Sequence, residues 1–342
     1  MQHLQRRRTM GGSYRHKLNV LALIFVILFT NFSACASSET GKITKNDFVL
    51  NTVATITLYD SNNEALIDEC FDLCRHYESL FSKTDVNSEI YKLNHRETSE
   101  VSIETAKLIT EGLYYSKLSD GAFDITITPL TSLWNFASES PSVPSAEEIG
   151  SAREKVDYTV VTVSGNTVTF SNDYTAIDLG AIAKGYIADK VKELLVSRGI
   201  KKAIINLGGN VMCIGGKTAT EGFKIGIQYP FEESSIASVT VRDLSVVTSG
   251  IYERYFEKDG TLYHHILNPK TGYPYDNNLL SVTIIGENSC TCDALSTTCY
   301  ALSKDAGTAL IEDLDGYYAI FITDDYKLWY TDGTETALNI ET

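Results

Sequence analysis

Tyr158-Thr-Val-Val-Thr-Val-Ser-Gly-Asn-Thr-Val-Thr-Phe170 reads as two short strands, Tyr158–Val163 and Thr167–Phe170, joined by Ser-Gly-Asn, and so as a β-hairpin. On either side, strand-like runs and helix-like runs alternate without a regular βαβ rhythm. Thr52–Tyr59 alternates as a strand, and Lys202–Asn206, Phe223–Gln228, Ala237–Val241, Ser281–Ile285, Tyr318–Thr323 and Lys327–Tyr330 are further apolar runs of strand length. Asn63–Lys83 places Leu66, Cys70, Cys74, Tyr77 and Phe81 on one helical face. More helices are predicted at Ile103–Leu118, Ser145–Val156, Ala183–Arg198 and Asp293–Leu302. Clustered strands with irregularly interleaved helices point to an α+β fold rather than a doubly wound sheet, with antiparallel or mixed sheets and flanking helices. With no Pro- or Ser-rich linker long enough to divide the chain, residues 46–340 are expected to form a single domain of two lobes with its site in the cleft.

The first residues carry a different signal. Arg6, Arg7, Arg8, Arg15 and Lys17 precede the nearly unbroken apolar run Leu18–Thr30, which is too short to span a membrane and is followed by small residues. Residues 1–34 are therefore read as a signal peptide. Phe32-Ser-Ala-Cys35 resembles a lipobox, which makes Cys35 the expected lipidation site and residues 35–45 a polar tether. The protein is thus expected at the cell membrane, lipid-anchored on its extracytoplasmic side. Removing residues 1–34 takes five positive charges and no negative ones, so the formal charge falls from −15 to −20. Nucleic acid and anionic membrane surfaces are poor partners for so acidic a body, and any anion it binds needs a local device.

Asp293-Ala-Leu-Ser-Thr297 supplies one such device. An acid and a hydroxyl four residues apart share a helical face and can close on one hard cation of Mg²⁺ size. Asp178-Leu-Gly-Ala-Ile-Ala-Lys-Gly185 is a glycine turn opening a helix, where unpaired N–H groups and the dipole suit a phosphate. Lys184 in that first turn is disfavoured by the dipole unless a bound anion offsets it; a plain strand-to-helix connection is the competing reading. Asn206-Leu-Gly-Gly-Asn210 reads as a turn. His264 and His265 are adjacent, so in a strand at most one faces a site. Ser119-Asp-Gly-Ala-Phe-Asp-Ile-Thr-Ile-Thr-Pro-Leu130 with Trp134 nearby reads as a turn, a strand and core aromatics, or, at Asp124 beside Phe123, as a carboxylate beside aromatics that could hold a heteroaromatic ring. Cys70 and Cys74 fit a core face. Cys290, Cys292 and Cys299 flank Asp293, and their pairing cannot be read from spacing.

Taken in order, these motifs resemble the ApbE-type FAD:protein FMN transferases. The likeness runs from Leu50-Asn-Thr-Val-Ala-Thr-Ile through Phe81-Ser82, Ser88-Glu-Ile, Leu93-Asn94, Ser119–Asp124, Asp178–Gly185, Gly208-Gly-Asn210, Thr248-Ser-Gly250, Tyr252-Glu-Arg254, His265-Ile-Leu-Asn-Pro-Lys-Thr-Gly272 and Asp293–Thr297. The resemblance implies that FAD is cut at its pyrophosphate and FMN is passed to a Thr or Ser hydroxyl of an exported flavoprotein, releasing AMP. By matching positions it implies Mg²⁺ held by Ala181, Asp293, Ser296 and Thr297. It likewise implies FAD against Leu50, Thr84, Ala122, Phe123, Asp124, Asp178, Lys184, His265 and Ile266, with His265 and Asp293 catalytic. Asn51 stands where Gly is usual, and Thr84 where many relatives carry an aromatic residue over the ring. A less shielded site would admit water and hydrolyse FAD to FMN and AMP. An extracytoplasmic FAD pyrophosphatase and a non-catalytic flavin-binding lipoprotein are therefore the competing functions.

Overall fold

A computed structural model describes residues 41–342. The expected signal peptide, Cys35 and the start of the tether lie outside those residues. In chain order the strands are β1 (Ile43–Val49), β2 (Thr52–Leu58), β3 (Val161–Ser164), β4 (Thr167–Phe170), β5 (Ala203–Leu207), β6 (Asn210–Ile214) and β7 (Phe223–Gln228). They continue with β8 (Ser235–Val241), β9 (Ser245–Gly250), β10 (Tyr255–Lys258), β11 (Thr261–His264), β12 (Leu279–Gly286), β13 (Tyr318–Thr323) and β14 (Leu328–Tyr330). The helices are α1 (Glu64–Phe81), α2 (Glu89–Asn94), α3 (Ile103–Leu118), α4 (Thr128–Trp134), α5 (Ala146–Arg153), α6 (Ala183–Ser197), α7 (Ser289–Glu312) and α8 (Thr334–Leu338).

Eight strands form one sheet in the order β1-β2-β5-β6-β9-β12-β13-β14, and every neighbouring pair is antiparallel. The order rises monotonically along the chain. Each excursion from the sheet therefore returns to the next free position, and the α+β expectation with antiparallel sheets and flanking helices holds. The hairpins β3–β4, β7–β8 and β10–β11 are separate two-stranded sheets carried on those excursions. β12 is buried at every position, because the sheet is covered on both faces there. α7 packs along β12 and β9, and α6 packs on α7. That stack brings the two helix starts quoted above side by side.

Several boundaries differ from the sequence reading. β1 begins at Ile43, inside the expected tether; as an edge strand it alternates half-buried positions such as Lys45 and Asp47 with exposed ones such as Thr44 and Asn46, so it shows no apolar run. The strand expected within Ser119–Leu130 is absent: the segment is a loop with a single bridge, Ile127 to Ala176, followed by the short helix α4 with Pro129 at its start. α2 was missed because six residues give no helical period, although Ser88 caps it by accepting from the Tyr91 N–H. α7 starts four residues before Asp293 and runs ten residues past Leu302, across a break at Ser303 where φ is 70° and ψ 170°.

Most buried apolar residues form one core, and Leu130, Trp134, Ile149, Ala152 and Leu267 form a second, smaller cluster. The segment after β11 joins the two, since Ile266 lies in the first and Leu267 in the second. Trp134 is the anchor of the small cluster: its ring stacks on Phe136 at 5.6 Å, and its Nε1–H donates to the Gly272 carbonyl at 2.8 Å. Gly272 takes φ 78°, and a Cβ there would press on Ile149. Trp134→Phe keeps an aromatic ring but strands the Gly272 carbonyl, so urea unfolding is expected to show a loss of about 1–3 kcal/mol with an unchanged m-value.

Candidate functional site

The closest approach of α6 to α7 sets the site. A Cβ on Gly185 would overlap the Ser289 carbonyl and lie 2.7 Å from Asp293 Cβ, so only glycine fits. With no side chain in the way, the Gly185 N–H donates to Asp293 Oδ2 at 2.8 Å. In a helix interior that N–H would go to the carbonyl four residues back, which is that of Ala181. Asp189, one turn on, accepts the Ser289 and Cys290 N–H groups at 3.0 and 2.9 Å and so caps α7 from outside. Asp293 is thereby buried, with one oxygen committed to Gly185. Its Oδ1 takes no hydrogen bond among the described residues. Burial raises its carboxyl above the ordinary value, opposed by the Lys184 charge and the Gly185 N–H.

One helical turn on, Thr297 is half-buried and on the same face, as the four-residue spacing predicts. Ser249 of β9 reaches both Ser296 Oγ, at 2.7 Å, and Thr297 Oγ1, at 2.9 Å. Ser296 is fully buried and donates to the Asp293 carbonyl at 2.8 Å. A buried carboxylate with a free oxygen, a hydroxyl and an uncommitted carbonyl at Ala181 make a hard, all-oxygen donor set of the kind Mg²⁺ takes. Among the described residues no group of three His, Cys, Asp or Glu side chains is placed to hold a metal ion.

Lys184 projects from the first turn of α6, with Nζ 3.3 Å from the Gly208 carbonyl. No carboxylate lies within ion-pair distance of it among the described residues. Gly208 and Gly209 form the turn between β5 and β6 with φ of 61° and 90°, and a Cβ on Gly208 would strike Thr52. The turn therefore presses β2 close to Lys184. At the end of β1, Leu50 and Asn51 form a two-residue hairpin turn with φ of 56° and 55°. Asn51 tolerates that region, but a left-handed leucine costs about 1–2 kcal/mol, and such strain gathers at functional sites.

The two histidines have different surroundings, but strand alternation is not the reason, because β11 ends at His264 and His265 lies at the bend after it. His264 is buried, accepts the Ile266 N–H at Nδ1 (3.3 Å) and faces the Tyr275 carbonyl through Nε2 (2.9 Å), which makes Nε2 the protonated nitrogen. It is a packing residue. His265 turns the other way. Its Nδ1 is buried without a partner among the described residues. Burial, with the Arg254 charge next and His264 and Lys184 contributing, pushes its pKa down to about 3. His265 is thus neutral in the ligand-free protein. Glu253, adjacent to Arg254, reaches solvent yet is walled by protein on most sides; that desolvation raises its carboxyl, with Lys184 and Arg254 opposing and Asp293 adding to the rise.

The residues implied for FAD fall into two groups. Asp178, at the bridge before α6, pairs with Lys83 Nζ at 2.6 Å and accepts from Thr131 Oγ1 at 3.1 Å and Gly180 N–H at 2.9 Å. Burial alone would raise its carboxyl, but the Lys83 charge and these donors outweigh it and hold it below the ordinary value. Asp124 is also buried, and its oxygens accept from Thr126 N–H (2.7 Å), Thr126 Oγ1 (2.6 Å) and Tyr158 N–H (3.3 Å); burial still lifts it to about 6. That carboxylate holds the loop together, and Phe123 beside it is packed in the core against Tyr115. The Ala122 carbonyl accepts from the Tyr275 hydroxyl at 2.9 Å. Ile266 is buried, whereas Thr84 is exposed. Lys83, Thr131, Ser249, Glu253 and Arg254 had no role in the sequence reading. Three of them lay inside quoted motifs, but only the fold shows which site atoms they meet.

The described cysteines, Cys70, Cys74, Cys213, Cys290, Cys292 and Cys299, are all free and buried, and burial raises every thiol. None is poised for chemistry.

Residues 50–321 match the model of the ApbE family. The FAD:protein FMN transferase of Klebsiella pneumoniae is 38% identical, with 77% of this chain and 84% of that protein covered. The enzyme of the same name from Treponema pallidum is 30% identical, covering 89% of this chain and 91% of its own. Among solved structures, the ApbE protein of Thermotoga maritima superposes with a TM-score of 0.79 at 32% identity, covering 86% of this chain and 99% of that one. The flavin transferase ApbE of Vibrio cholerae gives 0.77 at 27% identity with the same coverage. The chain belongs to the ApbE family.

Two outcomes test the geometry. Gly185→Ala is expected to push α6 off α7 and lower stability by about 1–3 kcal/mol, read as a fall in the urea midpoint. Lys83→Met leaves Asp178 buried without its cation, an expected loss of roughly 2 kcal/mol, below that of a fully buried pair. Because the folded Asp178 carboxyl titrates below its unfolded value, the ion pair's contribution is complete above that value and lost as the pH falls through the folded pKa. The deficit of the variant should therefore be largest near neutrality and shrink below about pH 4.

Proposed function

We propose that this ApbE family member is an FAD:protein FMN transferase that moves FMN from FAD to a Thr or Ser hydroxyl of a target protein with Mg²⁺ bound, releasing AMP. The observation that carries the reading is the meeting of Asp293, with its free oxygen, and Thr297 with the unpaired ammonium of Lys184 and the neutral ring of His265. Asp293, Thr297 and the Ala181 carbonyl would hold Mg²⁺, which supplies Lewis-acid neutralisation of the pyrophosphate. Lys184 and the first-turn N–H groups of α6 bind the same anion in a protein whose overall charge repels it. His265 accepts the proton of the acceptor hydroxyl. That oxygen bonds to the FMN-side phosphorus, the bond from phosphorus to the bridging oxygen breaks, and AMP departs with the electron pair.

A base of pKa about 3 is weak; burial is the main cause, and the cations Arg254 and Lys184 add to it. A bound pyrophosphate offsets the two cations and so raises His265 from that value, while the burial remains. The isoalloxazine would lie toward Leu50, the Ala122-Phe123 turn, Asp178 and Ile266. Exposed Thr84 puts no aromatic cover there, which favours some hydrolysis of FAD to FMN and AMP as a second reaction of the same site. The Cys35 lipobox and the basic, apolar start of the chain support a lipid-anchored, extracytoplasmic enzyme acting on exported flavoproteins.

The test is mass spectrometry of an acceptor domain incubated with residues 41–342, FAD and Mg²⁺, with free FMN and AMP quantified. A mass gain of one FMN phosphoryl adduct, with AMP released in step, is expected. Free FMN and AMP beside an unmodified acceptor would make the protein a pyrophosphatase, and unconsumed FAD would make it a binding protein. Asp293→Asn keeps an acceptor for the Gly185 N–H but lowers charge, and should abolish turnover while leaving the fold intact. His265→Ala should slow transfer by on the order of 10²-fold or more while changing FAD affinity little; equal losses in rate and affinity would make it a binding residue.

A further inference from the structure

Three hydroxyls meet where β9 crosses the second turn of α7. Ser249 Oγ lies 2.7 Å from Ser296 Oγ and 2.9 Å from Thr297 Oγ1, and Ser296 Oγ lies 2.8 Å from the Asp293 carbonyl oxygen. A hydroxyl carries one proton and two lone pairs, and a carbonyl has no proton to give. The contact with the Asp293 carbonyl therefore uses the Ser296 proton. The contact between Ser249 and Ser296 is then left with the Ser249 proton, and the contact between Ser249 and Thr297 with the Thr297 proton. No other assignment places a proton in all three contacts.

We propose that this chain has one direction, Thr297 to Ser249 to Ser296 to the Asp293 carbonyl, and that Ser249 is a positioning residue for the cation site. By accepting the Thr297 proton, Ser249 leaves both lone pairs of Thr297 Oγ1 free for a cation held with Asp293. Ser296 ends the chain. It is fully buried, donates once and accepts once, and so anchors the line instead of ligating the metal. A flexible Thr hydroxyl facing a cation can present its proton or its lone pairs, and the fixed direction removes the repulsive choice. The metal's immediate ligands are commonly oriented by such outer partners, whose loss weakens affinity about 10–100-fold. Ser249 is half-buried on a strand, so shortening its side chain leaves the fold room to persist.

This inference rests on the cation reading given above, and the experiment separates the two. Mn²⁺ binding to FAD-free residues 41–342 is titrated by calorimetry for the wild type, Ser249→Ala, Ser249→Thr, Ser296→Ala, Thr297→Val and Asp293→Asn, with far-UV circular dichroism as the check on folding. Ser249→Ala is expected to weaken binding about tenfold. Ser249→Thr, which keeps a hydroxyl on a strand, should restore it to within about threefold. Ser296→Ala should weaken binding less than Thr297→Val does. Wild-type affinity in Ser249→Ala overturns the positioning role while leaving the cation site standing. A loss in Ser296→Ala as deep as in Thr297→Val makes Ser296 a ligand and overturns the direction, and it does so even if Ser249→Ala fails to fold. Absence of saturable Mn²⁺ binding in the wild type, or binding untouched by Asp293→Asn, overturns the cation reading itself and this inference with it.

Discussion

A single hydrogen bond, from the backbone N–H of Gly185 to the side-chain Oδ2 of Asp293, fixes the geometry on which the site depends. It exists because residue 185 has no side chain, so α6 can lie against the start of α7. From that contact the other placements follow. Lys184 precedes Gly185 and must leave α6 toward the β5–β6 turn. Ala181 ends the preceding loop with a carbonyl that Gly185 does not claim. Thr297 stands one turn beyond Asp293, and Ser249 meets it because β9 runs beneath α7. The interaction also has an electrostatic side: the Gly185 N–H and the Lys184 ammonium partly offset the burial that raises the Asp293 carboxyl.

The flavin-side residues are organised by a different contact. Lys83, two residues past the end of α1, pairs with Asp178 before α6, while Thr131 of α4 donates to the same carboxylate. Three segments far apart in sequence are thereby tied together near the junction of the two apolar clusters. Asp178 is ionised and satisfied, whereas Asp124 is lifted toward neutrality by burial and spent on its own loop. Two aspartates quoted in similar glycine-rich motifs thus have different physical states, which spacing alone does not distinguish.

Much of the architecture was legible in local patterns. The amphipathic face of α1, the β3–β4 hairpin and the span of α6 follow from periodicity and turn chemistry, except that Tyr158–Val160, expected as the start of the first hairpin strand, is a short 3-10 helix and the strand begins at Val161. That at most one of His264 and His265 faces the site was legible from their adjacency, although β11 ends at His264 and a bend, not strand alternation, carries His265. What escaped was short, shared or at an edge. α2 and α4 have too few turns for a period, and β1 shows no apolar run because half of it faces solvent. Lys83 entered the sequence reading only as the end of a helix; its role depends on a partner 95 positions away. The same holds for Ser249, whose significance lies in a helix 40 residues downstream.

The monotonic strand order has a consequence for how the chain reaches this state. β2 pairs with β5, and everything from residue 59 to residue 202 lies between them. A chain released N-terminus first completes the β1–β2 hairpin early, and that hairpin then waits with an open edge until β5 arrives. Isolated two-stranded ribbons are marginal in water, so the pairing that nucleates the central sheet is a late, high-contact-order event. During the wait Cys70 and Cys74 are still uncovered, since the core that buries them includes β5. The interval before sheet closure is therefore when the newborn polypeptide is most vulnerable to mispairing and thiol oxidation, and a folding helper that shields residues 43–82 would act there.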